Sequence, residues 1–307
     1  MITNRSGNAE AVTAAAADDA VLRALCWPPP PGQPHLPDWP VRDWQAGLGG
    51  LIEQAILHKV LCLLADRFAT TELDRHLPRA ISRFLAATLR ANQYLTSVYR
   101  AEIAWIMVAL DQAGLTAAAL NGIAAESNLY EGSGARQFTD LDLLLAPEDI
   151  TAARTVLTEL GYHCNHADAT TLTRHLDDTV VPRITLDLAL SVHHTHSQDG
   201  IREILSRRVW QPLPGHDQLL PVLAAPDALL HCLARLDRTV PTPPAAGAAR
   251  WAICADALRL ARACANLPAA HPPPAPRVPR DAAAGWARLQ RLWPGLPPAP
   301  LSAGEQR

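Results

Sequence analysis

Three aspartates carry the most specific chemistry in the sequence. The run Phe138-Thr139-Asp140-Leu141-Asp142-Leu143-Leu144-Leu145 reads as a strand with carboxylates at alternate positions. Side chains at i and i+2 share one face of a strand, about 7 Å apart at Cα, so Asp140 and Asp142 project together while the leucines turn into a core. Adjacent acids repel unless a positive group neutralises them; a solvated strand face is the plain alternative. Mg²⁺, or Mn²⁺, is the natural partner, because it takes a few carboxylates and leaves its other positions to water and phosphate oxygens. Asp187, in Arg183-Ile184-Thr185-Leu186-Asp187-Leu188-Ala189-Leu190, is a third lone acid on an apolar strand. Three carboxylates meeting at one point suit metal-assisted in-line phosphoryl displacement. Two would hold metal, and the third would help hold it or take the acceptor's proton.

Leu120-Asn121-Gly122 ends one expected strand and begins a helix, where free amide N–H groups can bind phosphate. Arg136, four residues before Asp140, can pair with phosphate or carboxylate. A second glycine turn, Gly132-Ser133-Gly134-Ala135, precedes Arg136. Only six residues separate Ser133 from Asp140, too few for a helix and a connection at 1.5 Å per residue. The phosphate turn is therefore placed at Gly122, and Gly132–Gly134 is read as an ordinary flexible turn.

These residues need elements to hold them. From Asp43, Trp44, Leu48, Leu51, Ile52, Ala55, Ile56, Val60, Leu63 and Leu64 recur at helical steps, and further helices are expected over 72–92 and 93–113. Leu115–Leu120 reads as a strand and Ile123–Tyr130 as two helical turns. Pro147 opens a helix ending at Gly161, and Tyr162–Asn165 and Val180–Leu190 read as strands. Helix returns over Asp227–Arg238, Trp251–Ala265 and Ala282–Leu292. The fold class expected is α+β or α/β, with a small mixed sheet flanked by N- and C-terminal helical segments. The expected divisions are a disordered or short-helix extension (1–40), a helical segment (41–110), the α/β core (111–220), a helical segment with Pro-rich linkers (221–295) and a tail (296–307).

The composition excludes several functions. The 307 residues are 49% hydrophobic and 19% charged, with a net charge of −3, as expected for a folded domain without a broad footprint for long nucleic acid. Of 27 basic residues only Lys59 is a lysine, and it stands in Leu57-His58-Lys59-Val60, so there is no P-loop and no protein-kinase motif set. The six cysteines, Cys26, Cys62, Cys164, Cys232, Cys254 and Cys264, form no CxxC pair and read as buried thiols of a reducing cytoplasm. The first twenty residues lack the pattern of a signal peptide, and no apolar run reaches the ~20 residues of a membrane span.

The order Leu-x-Gly, Tyr130, Arg136-x-x-x-Asp140-Leu-Asp142-Leu-Leu-Leu, a Pro147-started helix, Leu160-Gly161-Tyr162 and Asp187-Leu188 resembles the uncharacterised nucleotidyltransferase family of the polymerase-beta-like superfamily. Trp44 with its apolar helix resembles that family's N-terminus, and Asp227-Ala228-Leu229-Leu230-His231 and Asp256 its C-terminus. The resemblance implies Mg²⁺-dependent transfer of a nucleotidyl group from an NTP. It implies Asp140, Asp142 and Asp187 as the metal-holding and catalytic acids. It places Asn121 and Gly122 at the phosphate turn, and has Arg136 steady the site or touch phosphate. The sequence departs from the family where Asn121 replaces a frequent Lys, and where Ala189-Leu190 replaces His-Trp after the third acid.

The expected partners are an NTP and a small-molecule, peptide or protein acceptor, with neither long nucleic acid nor membrane. By resemblance to relatives beside bacterial peptide natural-product genes, a modified peptide is one candidate. Two alternatives stay open: a catalytically degenerate adaptor of the same fold, and a metal-dependent hydrolase using His163, His166, His193, His194 and His196. No zinc-ligand spacing supports the hydrolase.

Overall fold

A computed structural model describes residues 26, 44–71, 73–164, 170–192, 197–238, 251–265, 280–292 and 296. The expected N-terminal extension, the proline linkers, most of the tail, and His166, His193, His194 and His196 lie outside the described residues.

The described elements run in the order α1 (Trp44–Leu57), α2 (Leu61–Thr70), α3 (Arg79–Gln112), β1 (Ala117–Leu120), α4 (Asn121–Leu129), β2 (Leu141–Leu145), α5 (Ile150–Glu159), β3 (Thr171–His175), β4 (Arg183–Ala189), α6 (Gln198–Ser206), β5 (Val209–Pro212), β6 (Leu219–Val222), α7 (Ala225–Arg238), α8 (Trp251–Ala265) and α9 (Arg280–Leu292). Short 3₁₀ turns at Leu73–His76 and Pro147–Asp149 precede α3 and α5. The sheet is mixed, with strand order β3-β4-β2-β1-β6-β5. β2 pairs antiparallel with β1 and parallel with β4, in the register that sets Asp142 beside Asp187 and opposite Leu120.

Alternation along the strands sorts the two faces. Leu141, Leu143, Leu145, Ile184, Leu186 and Leu188 are buried against Ile103, Ile106 and Leu110 of α3 and Leu157 of α5. Leu120 and Leu144 lie on the other face, with Ile201, Ile204 and Leu205 of α6. Asp142 alternates with Leu141 and Leu143, and Asp187 with Leu186 and Leu188, so both acids belong to this second face. A separate core joins the helical ends: Leu51, Leu64 and Phe68 of α1 and α2 share it with Leu229, Leu233, Cys254, Leu258 and Trp286 of α7–α9.

The mixed sheet with flanking helices is the expected class, but some elements differ. The helices expected over 72–92 and 93–113 are one helix of 34 residues. The polar Asn92-Gln93 pair reads as an interruption, yet it serves a tertiary role: Asn92 Nδ2 donates to the carbonyls of Gly134 at 2.7 Å and Arg136 at 3.3 Å. The apolar run from Trp44 is two helices, broken at Lys59 (φ 56°). β2 is shorter than expected, and Asp140 stands in the turn just before it. The expected strand at Tyr162–Asn165 is a single bridge, His163 to Thr173, where described. β3, β5, β6 and α6 carry no periodic signal long enough to read beforehand.

Candidate functional site

The turn from β1 into α4 puts Asn121 in the left-handed region at φ 51°, a conformation asparagine tolerates better than most residues. Its side chain bridges two neighbours. Oδ1 meets His231 Nε2 of α7 at 3.0 Å, and the side chain lies near enough to the Asp142 carboxylate to favour its charged form. With Oδ1 turned to the imidazole, the proton sits on Nε2. Gly122 is required by a close approach: a Cβ there would stand 2.4 Å from Cβ of Phe138, two residues before Asp140. Gly122 thus fixes how closely the segment leading into β2 packs on α4.

Asp142 is partly buried, and burial pushes its carboxyl up to about 6; Asp140 and Asp187 add to the rise, while the Asn121 amide and the Arg235 guanidinium oppose it. The three acids are therefore within electrostatic reach of one another. Asp187 Oδ1 accepts a hydrogen bond from Thr171 Oγ1 of β3 at 2.5 Å. Among the described residues, no three His, Cys, Asp or Glu side chains are gathered closely enough to hold a metal ion. The backbone brings Asp187 into register with Asp142, but their carboxylates do not form a ready three-sided cage with Asp140.

Asp140 and Asp142 line a cavity of about 220 Å³, together with Asn121, Gly122, Gln137, Phe138 and Arg136. Their hard carboxylate oxygens, beside open volume, fit a divalent ion that keeps most of its water. Arg136 also lies on this wall, but its charge is engaged. Nε donates to both oxygens of Asp256 in α8 at 2.9 Å, and Nη2 meets Oδ2 at 2.7 Å. Tyr130 OH donates to Asp256 Oδ1 at 3.0 Å, and Arg136 Nη1 donates to the Gln137 carbonyl. Arg136 and Asp256 are both buried.

Three cavity residues escaped the sequence reading. Lys59 lines the cavity from the α1–α2 turn, His58 beside it, and Arg235 from α7. Lys59 stands inside an apolar run with helical spacing, and Arg235 belongs to no motif; only the tertiary fold brings them in. His231 also gave no local signal for its bond to Asn121.

The Gly132–Gly134 segment is not a flexible turn. Gly134 N donates to Glu126 Oε1 at 3.1 Å, Gln93 Nε2 donates to the Ser133 carbonyl at 2.9 Å, and Asn92 holds the Gly134 carbonyl. None of Gly132, Ser133 and Gly134 lines the cavity. A roomier cavity of about 330 Å³ lies at the β5 edge, between Met107 and Trp210, with Asp111 as its one acid among the described residues. The six cysteines are free, and four of them, Cys26, Cys62, Cys232 and Cys254, are buried. No helix among the described residues is long and apolar enough to cross a membrane.

Comparison with known proteins bears on the whole arrangement. No curated protein matches the chain. Among solved structures, an antigenic nucleotidyltransferase-like protein from Paracoccidioides brasiliensis is similar at 14% identity and a TM-score of 0.45, covering 69% of this chain and 92% of its own. The family described as uncharacterised nucleotidyltransferase matches residues 42–240, a stretch that holds α1 through α7 and stops before Asp256. That match spans well over half of the sequence and includes all three aspartates, Asn121, Gly122 and Arg136: the chain belongs to the uncharacterised nucleotidyltransferase family.

Proposed function

We propose that this protein transfers a nucleoside monophosphate from an NTP to a small-molecule, peptide or protein acceptor. The observation that carries the reading is the cavity on which Asp142 of β2 and Asp140, just before that strand, converge, with Asp187 in register with Asp142 on β4. A divalent ion held by Asp140 and Asp142 would neutralise charge developing on the phosphates. The acceptor oxygen attacks the α-phosphorus, the bond from that phosphorus to the bridging oxygen breaks, and pyrophosphate leaves. Asp187 lies on the side of Asp142 nearer β3, where it can take the acceptor's proton or turn from Thr171 to join the metal set. Asn121 favours the charged form of the Asp142 carboxylate and is itself held by His231. Gly122 keeps the Phe138 segment close enough for Asp140 to reach the same cavity. The engagement of Arg136 with Asp256 supports its role in steadying the site over direct contact with phosphate. A net charge of −3 argues against long nucleic acid as acceptor.

The test is incubation with each labelled NTP, Mg²⁺ or Mn²⁺, and an acceptor panel, wild type beside Asp142→Asn. Metal-dependent labelled product that disappears in the variant supports the proposal. Product that survives the substitution removes the site assignment. Nucleotide binding without transfer to any acceptor would favour the degenerate adaptor, for which Asn121 at a frequent lysine position is the motivating feature.

A further inference from the structure

We propose that Lys59 and Arg235 are the paired cations that grip the phosphates of the nucleotide in the Asp140–Asp142 cavity. The inference deepens the nucleotidyltransferase reading and rests on it.

A metal-bound triphosphate still carries negative charge, and a cavity floored by aspartates repels it unless cations face the acids. The described cationic side chains on the cavity wall are Lys59, Arg136 and Arg235, with His58 as a further titratable group. Arg136 is neutralised by Asp256 at 2.7 Å. His58 is buried and has its own interaction. Among the described residues, the side chains of Lys59 and Arg235 make neither an ion pair nor a hydrogen bond. Their charges face the cavity from different elements, the α1–α2 turn and α7.

Each is held for the task by its surroundings. Lys59 occupies the left-handed region, sparsely populated by side-chain-bearing residues, in a turn closed by Lys59 N to Ile56 O at 3.1 Å and Val60 N to Ala55 O at 2.8 Å. Arg235 is only partly exposed, with buried Ala234 and Leu236 on either side of it in α7. It is near enough to Asp142 to favour that carboxylate's charged form. Arginine offers a fork suited to two phosphate oxygens, and lysine a mobile point charge, so the two can act at different phosphates. The neutral Asn121 at the head of α4 is then no deficit. The charge comes instead from the helical segments, and the N-terminal helices become part of the nucleotide site.

The test uses the full chain and inorganic tripolyphosphate without metal, titrated by calorimetry. Wild type should bind. Lys59→Gln and Arg235→Gln should each weaken binding about tenfold or more, the scale of one charge-assisted contact, and Lys59→Arg should recover most of the loss. Because Lys59 is the chain's one lysine, an amine-reactive reagent followed by peptide mapping reads it in the unsubstituted protein. Saturating tripolyphosphate should protect it. Absence of wild-type binding, unchanged affinity in both glutamine variants, or an unprotected Lys59 at saturation overturns the proposal. The nucleotidyltransferase reading fails by a different result, namely metal-dependent transfer that persists in Asp142→Asn, whatever tripolyphosphate does.

Discussion

Two glycine-bearing turns flank α4, Asn121-Gly122 at its head and Gly132-Ser133-Gly134 beyond its end, and the fold treats them differently. The second turn is tied down by Asn92, Gln93 and Glu126, so its polar groups are used up inside the protein. The first borders a cavity, and its asparagine meets a histidine and favours the charge on an acid. A glycine-rich stretch can thus be architecture, while a less conspicuous Asn-Gly step borders the cavity of the proposed site. What separates them is whether neighbouring polar groups are already partnered, since unsatisfied buried groups are costly and persist where something else needs them.

Substitutions can break this contrast. The largest effect should come on the cavity side: Asp142→Asn should lower labelled transfer about 10³-fold, about 4 kcal/mol of barrier, with thermal stability kept, because a raised carboxyl is removed. Retained transfer would dissolve the distinction. Next, Asp256→Ala should cost about 3–5 kcal/mol in denaturant unfolding, since it strands the buried Arg136 charge and the Tyr130 hydroxyl. A loss under 1 kcal/mol in that experiment would mean that water reaches the pair.

The two glycines give a matched test. Gly134→Ala introduces a Cβ 2.5 Å from Gln93 Cγ at φ 79°, and Gly122→Ala one 2.4 Å from Phe138 Cβ. Each should lose about 1–3 kcal/mol of stability. Only Gly122→Ala should also lower turnover per folded molecule, because Phe138 leads to Asp140. Equal turnover in the two variants would count against the contrast.

The smallest effect is a pH dependence. Burial raises the Glu126 carboxyl above its ordinary value, against the pull of Arg100 and the Gly134 amide. The native state therefore holds this proton more tightly than the unfolded chain. Its contribution to stability is full below the unfolded value of about 4.3 and is lost as the pH rises through the higher folded value. Glu126→Gln keeps an oxygen for Gly134 and should flatten that fall in denaturant midpoints measured across the acidic range. An unaltered slope would show that the buried carboxyl does not titrate there.

The placement of the candidate acids and of the Asn121-Gly122 junction is legible because their signals are local. Alternation within Asp140–Leu145 and Arg183–Leu190 marks acids among buried leucines, and β2 and β4 prove to be neighbours with Asp142 beside Asp187. Asn121-Gly122 reads as a strand-to-helix junction because a short apolar run meets a helical one. Lys59, His231 and Arg235 were illegible for the opposite reason: each is an isolated polar residue on a helix or at its edge, and only long-range packing tells such a residue from a solvated one. The continuous α3 was missed because Asn92 and Gln93 look like a break, when the loop carbonyls they serve lie about forty positions later in the chain.

That continuity gives α3 the character of a ruler. Asn92 holds the carbonyls of Gly134 and Arg136, Tyr99 OH donates to the Thr139 carbonyl at 2.9 Å, and Glu102 takes Arg174 at 2.6 Å and the Tyr162 hydroxyl at 2.9 Å. One rod therefore spaces three attachment points leading toward the acids. A helix turns by about 100° per residue, so inserting one residue between Asn92 and Tyr99 would swing the downstream anchors off their partners. Length variation among natural homologues should accordingly gather at the two ends of the rod and spare its middle.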